Sequence, residues 1–238
     1  MEIISEIGLN HQGNLSTALD MIRISKECGA NIAKFQYYNT DLLCVNRNCF
    51  DSYKLLDKIK MRPGWIPYLA AECKRWGIEF LCTAFDIYGA EQLEPYVKRF
   101  KIASPEAQNL KFLQQVAFFG KPLLISTGCV NDEDLDKIFD VITVPITLLY
   151  CKSLYPALPS DYNLNEINRL RDRYNCKVGV SCHCVGIKNA IDAVKIYKAD
   201  IVEKHFMLSG QDCVDKAVSL EPNEFLKLTQ IIRGTYGR

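Results

Sequence analysis

All three histidines of the 238-residue chain fall where an apolar run gives way to polar residues. Two of them, His183 and His205, end neighbouring runs. Neutral imidazole is a good ligand for a first-row divalent ion. A pair at adjacent strand ends therefore reads as a metal site, with a hydrogen-bonded structural histidine as the competing reading for either one alone. His11 has no such partner and reads as a residue that orders a loop or touches a substrate. The triplet Cys182-His183-Cys184 has the look of a zinc element. Its spacing fits no common structural zinc pattern, however, and alternate residues of a strand point opposite ways.

Lys34 and Lys101 end two further runs. An ammonium there can clamp a phosphate or carboxylate, snorkel to solvent or form a Schiff base with a carbonyl substrate. Position alone leaves the three open. Glu6 ends the first run, either as a general base or as the ion-pair partner of one of these lysines. Thr83, Ser104, Ser126 and Ser181 can donate hydrogen bonds to an anion, each a weak signal by itself. Gln36, Glu106, Ser153 and Tyr155 fall at the same run ends.

Eight apolar runs must position these groups: residues 3–8, 31–36, 79–83, 99–103, 122–126, 146–151, 177–181 and 200–205. Each has the length of a strand buried on both faces. Helical signals fall between them. Leu15, Leu19 and Ile22 share a face, with Asn14 as N-cap and Gly29 as stop. Asn131 precedes a run of acids at a helix start, where the dipole favours negative charge. Leu164, Ile167 and Leu170 keep helical spacing, and Pro222 opens a last helix bearing Phe225, Leu228 and Ile232. Strict alternation of eight such units predicts a single (β/α)8 TIM barrel over residues 1–238, with function at the C-terminal strand ends. The exception is residues 37–61, expected as a long irregular insertion bordering the site.

Bulk properties exclude more than they assign. Lys plus Arg (29) nearly balance Asp plus Glu (28), which gives no reason to expect nucleic acid or an anionic membrane as partner. No apolar run approaches a membrane span, and Met1-Glu2-Ile3-Ile4 carries no signal-peptide pattern. Eleven cysteines without a C-x-x-C pair, many of them in apolar patterns, favour a reducing cytoplasm over a disulfide framework. Cys28, Cys73, Cys82 and Cys151 read as small buried hydrophobes.

Ordered motifs then carry a resemblance. Glu6-Ile-Gly-Leu-Asn-His-Gln-Gly, Ala33-Lys-Phe-Gln, Gly77-Ile-Glu-Phe-Leu-Cys-Thr-Ala-Phe-Asp, Phe100-Lys-Ile-Ala-Ser, Gly120-Lys-Pro-Leu-Leu-Ile-Ser-Thr-Gly, Leu148-Leu-Tyr-Cys, Val202-Glu-Lys-His-Phe and Ser219-Leu-Glu-Pro resemble the N-acetylneuraminate (sialic acid) synthase family. The resemblance implies a condensation of phosphoenolpyruvate with an open-chain N-acylated amino sugar, N-acetylmannosamine or a related hexosamine, giving a nonulosonic acid and phosphate. It implies a divalent ion, Mn2+ or Mg2+, on His183 and His205. It further implies phosphoenolpyruvate contacts at Lys34, Thr83, Lys101, Ser104 and Ser181, and sugar contacts at Gln36, Glu106, Tyr155 and Asp215. Glu6 matches the family glutamate between the metal and the reacting carbons.

The departures from the family pattern are specific. Cys182 replaces the usual aspartate beside the metal ligand, so a softer ion is an alternative unless the thiol points into the barrel wall. Cys151-Lys152-Ser153 replaces Cys-Thr-Asn, Ser104-Pro105-Glu106 replaces Ser-Gly-Glu, and Cys82-Thr83-Ala84-Phe85 replaces Ser-Thr-Pro-Phe. Family members carry a C-terminal antifreeze-like domain that caps the partner subunit's site, and the barrel here is expected without it. Homodimerisation and a cap supplied by a separate domain or subunit are implied by the resemblance alone. Two other readings stand beside the synthase: a degenerate barrel that binds sugar or phosphoenolpyruvate without turnover, and a Schiff-base aldolase using Lys34 or Lys101.

Overall fold

A computed structural model describes residues 1–235. Eight parallel strands close into a barrel in chain order: β1 (Glu2–Gly8), β2 (Ile32–Tyr37), β3 (Glu79–Ala84), β4 (Phe100–Ile102), β5 (Leu123–Ser126), β6 (Ile146–Cys151), β7 (Lys177–Ser181) and β8 (Ile201–His205). The last strand pairs with the first, setting Glu6 beside His205 in register.

Local sequence explains the helices. In α1 (Leu15–Glu27) the Asn14 side chain accepts from Thr17 N, filling one of the orphan donors of the first turn. The stretch expected to be irregular holds α2 (Thr40–Arg47) and α3 (Tyr53–Ile59) instead. Asn39 caps α2 by accepting from Asp41 N and Leu42 N. Leu43 and Ile59 pack with Leu9, Tyr38 and Phe85 into a small cluster of their own. Helices of 8 and 7 residues are too short to show a period, which is why the sequence reads as loop. Then come α4 (Ile66–Trp76), α5 (Ile87–Leu93), α6 (Leu110–Ala117), α7 (Asp132–Val141), α8 (Glu166–Tyr174), α9 (Lys188–Lys195) and α10 (Pro222–Arg233). A reciprocal capping box between Asn131 and Asp134 starts α7. No helix among the described residues is long and apolar enough to cross a membrane.

The barrel interior is a plug, not a pore. Ile4, Ile32, Leu81, Leu124, Leu149 and Ile201 form one buried cluster contributed by six strands. Burying each such side chain is worth roughly 1.5–3 kcal/mol. On β7 the corresponding residue is Gly179, where a Cβ would meet the Ile201 carbonyl oxygen at 2.5 Å and Leu149 Cδ2 at 2.7 Å. Those neighbours occupy the space a side chain would need. Before β4, Arg99 pairs with Glu2 at 2.7 Å and Glu79 at 2.8 Å, tying β1, β3 and β4 together at the N-terminal end.

Strand side chains alternate faces, so residues two further along return to the interior. Those residues are Glu6, Lys34, Thr83, Lys101, Ser126, Cys151, Ser181 and Glu203, one from each strand. All eight line a single cavity at the C-terminal mouth. The apolar plug is its floor.

Candidate active site

The cavity measures about 350 Å³, enough for a small polar substrate. At its centre Lys34 Nζ stands 3.2 Å from Glu6 Oε2 and 3.1 Å from Glu203 Oε2. Burial opposes the lysine's charge, but the two carboxylates outweigh it and hold its pKa above the ordinary value. Glu203 is likewise held below the carboxylate range despite its burial, by Lys34 and Lys101 and a 2.8 Å hydrogen bond from Ser181 Oγ. Gln36 Nε2 donates to Glu6 Oε1 at 2.8 Å. Gly8, at φ +52°, lets this pair close, since a Cβ there would crowd both atoms. Among the described residues neither Glu6 Oε2 nor Glu203 Oε2 finds a directional hydrogen bond, nor does the buried Thr83 Oγ1. These are groups with capacity left for a ligand.

The two sides of the cavity differ in character. On the β4–β6 side Lys101 Nζ donates to Ser126 Oγ at 2.7 Å and, among the described residues, makes no ion pair with a carboxylate. Burial and the neighbouring Lys34 charge lower its pKa to about 8. Beside it Gly128 N donates to Ser104 Oγ at 3.1 Å. A Cβ on Gly128 would meet Ser153 Oγ at 2.5 Å, Cys151 Sγ at 2.9 Å and Ser104 Oγ at 3.0 Å. Hydroxyls thus crowd around a bare backbone position next to a buried cation, a donor set that suits an oxyanion.

The β7–β1 side holds the imidazoles. His183 Nδ1 lies 2.6 Å from the Lys152 carbonyl oxygen, which requires Nδ1 to carry the proton and leaves a lone pair on Nε2. Tyr155 stacks on His183, ring centroids 4.1 Å apart, and its hydroxyl lies 3.0 Å from that Nε2. Burial, then the neighbouring His205, lowers the His183 pKa to about 3. The ring is neutral and able to bind a cation. His205 lies beside it, centroids 5.5 Å apart, with Nδ1 3.2 Å from Asp215 Oδ2. Burial lowers the His205 pKa, but Asp215 more than compensates and raises it.

Among the described residues no ready-made group of three His, Cys, Asp or Glu ligands exists. The donor chemistry still fits a divalent ion: two imidazoles, one with its Nε2 lone pair fixed by a carbonyl behind it, and carboxylates near enough to balance charge. Such an ion would keep positions open for substrate and water.

Of the expected site residues, Glu6, Lys34, Gln36, Thr83, Lys101, Ser104, Ser126, Ser153, Tyr155, Ser181, His183, His205 and Asp215 line this cavity. Glu106 does not. It borders a neighbouring groove with Asn109 and Phe112, because the chain turns at Pro105 directly after the strand end. Cys182 is fully buried in the barrel wall and does not line the cavity; its neighbour Cys184 lowers its pKa to about 6. His11 is buried against Trp65, with Nδ1 accepting from Gly13 N, and does not line the cavity either.

Glu203 lines the cavity although the sequence does not single it out, while its neighbour Lys204 does not line it. Lys204 points out of the barrel and donates to the Cys182 and Cys184 carbonyls. Once the fold turns His205 toward the cavity, Glu203, two residues before it on the strand, must share that face. Cys151 was read as a buried apolar residue. It is buried, but its thiol also lines the cavity, 3.2 Å from Ser104 Oγ.

Polar groups from every strand converging on the C-terminal mouth are the mark of a (β/α)8-barrel enzyme. The NeuB family profile matches residues 21–236, and the chain belongs to that family of carbon–carbon bond-forming transferases. It is 32% identical to the N,N'-diacetyllegionaminic acid synthase of Campylobacter jejuni over 97% of this chain and 75% of that protein. It is 31% identical to the human N-acetylneuraminate-9-phosphate synthase, over 97% and 69% of the respective chains. In three dimensions it superposes on the sialic acid synthetase of Leptospira borgpetersenii, solved with citrate, at a TM-score of 0.91 and 30% identity, covering 99% of this chain and 85% of that one.

Proposed function

We propose that the protein condenses phosphoenolpyruvate with the open-chain aldehyde of an N-acylated amino sugar, giving a nonulosonic acid and inorganic phosphate. The observation that carries this reading is the division of the mouth into an oxyanion cradle and a facing carboxylate–imidazole half. Phosphoenolpyruvate presents a phosphate and a carboxylate, and the sugar presents hydroxyls and an aldehyde. The synthase names of the relatives point the same way.

In this mechanism Lys101, Ser104, Ser126 and Ser153 bind the phosphate, and Lys34, Thr83 and Ser181 steady the carboxylate. Gln36, Tyr155 and Asp215 face the sugar. A new bond forms between the enol C3 and the aldehyde carbon as its C=O π bond breaks and the oxygen takes up a proton to become a hydroxyl; water adds at C2, and phosphate leaves by C–O cleavage. Glu6 Oε2, ion-paired with Lys34 but without a directional hydrogen bond, accepts the proton of that water. Lys101 stabilises the departing phosphate charge from a dry site, where it counts more than in water. A divalent ion, Mn2+ or Mg2+, held by His183 and His205 would supply Lewis-acid polarisation of the aldehyde oxygen.

The test is phosphate release from phosphoenolpyruvate with N-acetylmannosamine and related amino sugars, with Mn2+ or with chelator. Release that requires both sugar and metal is expected. Its absence with every sugar, from folded protein that binds Mn2+, would overturn the reading. A second reading has one observation in its favour: the depressed pKa of Lys101 also suits a Schiff-base nucleophile. Borohydride trapping of pyruvate on Lys101, independent of metal, would establish it.

A further inference from the structure

Asn10 is buried completely, yet it does not line the cavity. Its side chain is fully engaged, and every partner lies about two hundred residues away in sequence. Nδ2 donates to the Phe206 carbonyl oxygen at 2.9 Å and to Ser219 Oγ at 2.9 Å. Oδ1 accepts from Asp215 N at 3.3 Å. Ser219 Oγ in turn donates to the Asp215 carbonyl oxygen at 2.7 Å. The peptide groups on both sides of Asp215 are thereby held, one by Asn10 directly and one through Ser219. The same turn is anchored at its far end by Leu220 N donating to the His205 carbonyl oxygen at 2.8 Å.

The side chain so fixed is the carboxylate 3.2 Å from His205 Nδ1, within ion-pair reach but not aligned as a hydrogen bond. A carboxylate behind an imidazole sets which ring nitrogen carries the proton and where the other points. We propose that Asn10 is a positioning residue: with Ser219 it clamps the Asp215 turn so that the Asp215 carboxylate backs His205 and aims its Nε2 into the cavity. The partner of this device is the β1–α1 loop, which makes the first and last strands of the barrel act as one piece at the site. The inference rests on the proposed function for the consequence in metal affinity, but not for the clamp itself.

Three variants test it: Asn10→Ala, Ser219→Ala and Asp215→Asn. Ser219→Ala removes a single hydroxyl and guards against a variant that fails to fold. The first readout is metal-free: 15N NMR of the histidine rings. All three variants are expected to shift the His205 Nδ1 signal and leave the His183 signals in place. The second is Mn2+ affinity by electron paramagnetic resonance, expected to fall on the order of 10-fold in each. Asn10→Ala added to Asp215→Asn is expected to cost nothing further in affinity, since both act through one carboxylate. Unchanged His205 signals in Asn10→Ala and Ser219→Ala would overturn the clamp, as would additive losses in the double variant. Absence of Mn2+ binding by the unaltered protein would sink the metal reading instead, and the NMR result would still decide the clamp.

Discussion

Lys34 Nζ lies 3.1 Å from Glu203 Oε2 at the bottom of the cavity, both side chains almost wholly buried. Lys101, on the opposite wall, is just as buried and among the described residues has Ser126 and a backbone carbonyl as its acceptors. The two lysines therefore do different things for the empty protein. Lys34→Met leaves Glu6 and Glu203 buried without their shared cation and is expected to cost about 3–5 kcal/mol in stability. Lys101→Met removes a charge that burial already disfavours and should stay within about 1 kcal/mol. Both should lose at least about 10-fold in affinity for phosphoenolpyruvate, and Lys101→Met alone should lose affinity for inorganic phosphate. Urea unfolding and calorimetric titration separate the two effects; equal stability losses would show that the Glu203 pair is not what Lys34 serves.

The pH dependence of anion binding follows from Lys101. It holds its proton below about pH 8 and gives it up above. Phosphate binding needs the ammonium, so affinity should decline as pH rises through that value. The stability of the ligand-free protein runs the other way. The unfolded lysine keeps its proton to about pH 10.5. Between the two values the unfolded chain binds more protons, so the folded state gains up to about 1.4 kcal/mol per pH unit. Unfolding at pH 7.5, 9 and 10, with Lys101→Met as reference, measures the difference. A pH response identical in the variant would remove Lys101 as its source.

Gly128 tests the cradle without touching a charge. A Cβ would press on Ser104 Oγ, Cys151 Sγ and Ser153 Oγ together and displace the groups that the cradle presents to an oxyanion. Gly128→Ala is expected to raise KM for phosphoenolpyruvate on the order of 10-fold while leaving KM for the sugar near its original value. Strain in the folded protein should stay at about 1–3 kcal/mol. A variant with unaltered KM for both substrates would move the phosphate elsewhere in the cavity.

His183→Ala is expected to abolish phosphate release. Thermal stability should change by no more than about 1–2 kcal/mol, since the ring sits at the mouth, not in the plug. The losses are the hydrogen bond to the Lys152 carbonyl and the stack with Tyr155. Full activity would exclude this imidazole from the chemistry.

Much of this was legible in the residues alone. Eight runs with helical stretches between them specify a closed parallel barrel, because a strand apolar on both faces must be covered on both. Function then belongs at the C-terminal ends, and that rule alone gathers Glu6, Lys34, Lys101, His183 and His205. Short helices such as α2 and α3 escape, because a period needs more turns than they have. Glu106 reads as a strand-end residue but turns away after Pro105.

The chain by itself determined which strands meet and in what order, since pairing and closure follow from the spacing of the runs. Only the tertiary structure decided the phase of each strand: which of Glu203 and Lys204 faces inward, and that Cys182 faces the wall. In a strand buried on both sides the apolar pattern does not alternate, so nothing local marks the inner face. The phase is set when the barrel closes and each side chain must share the interior with those of the other seven strands. Only then do Lys34, Glu6 and Glu203 become neighbours, and only then can Asn10 reach Asp215.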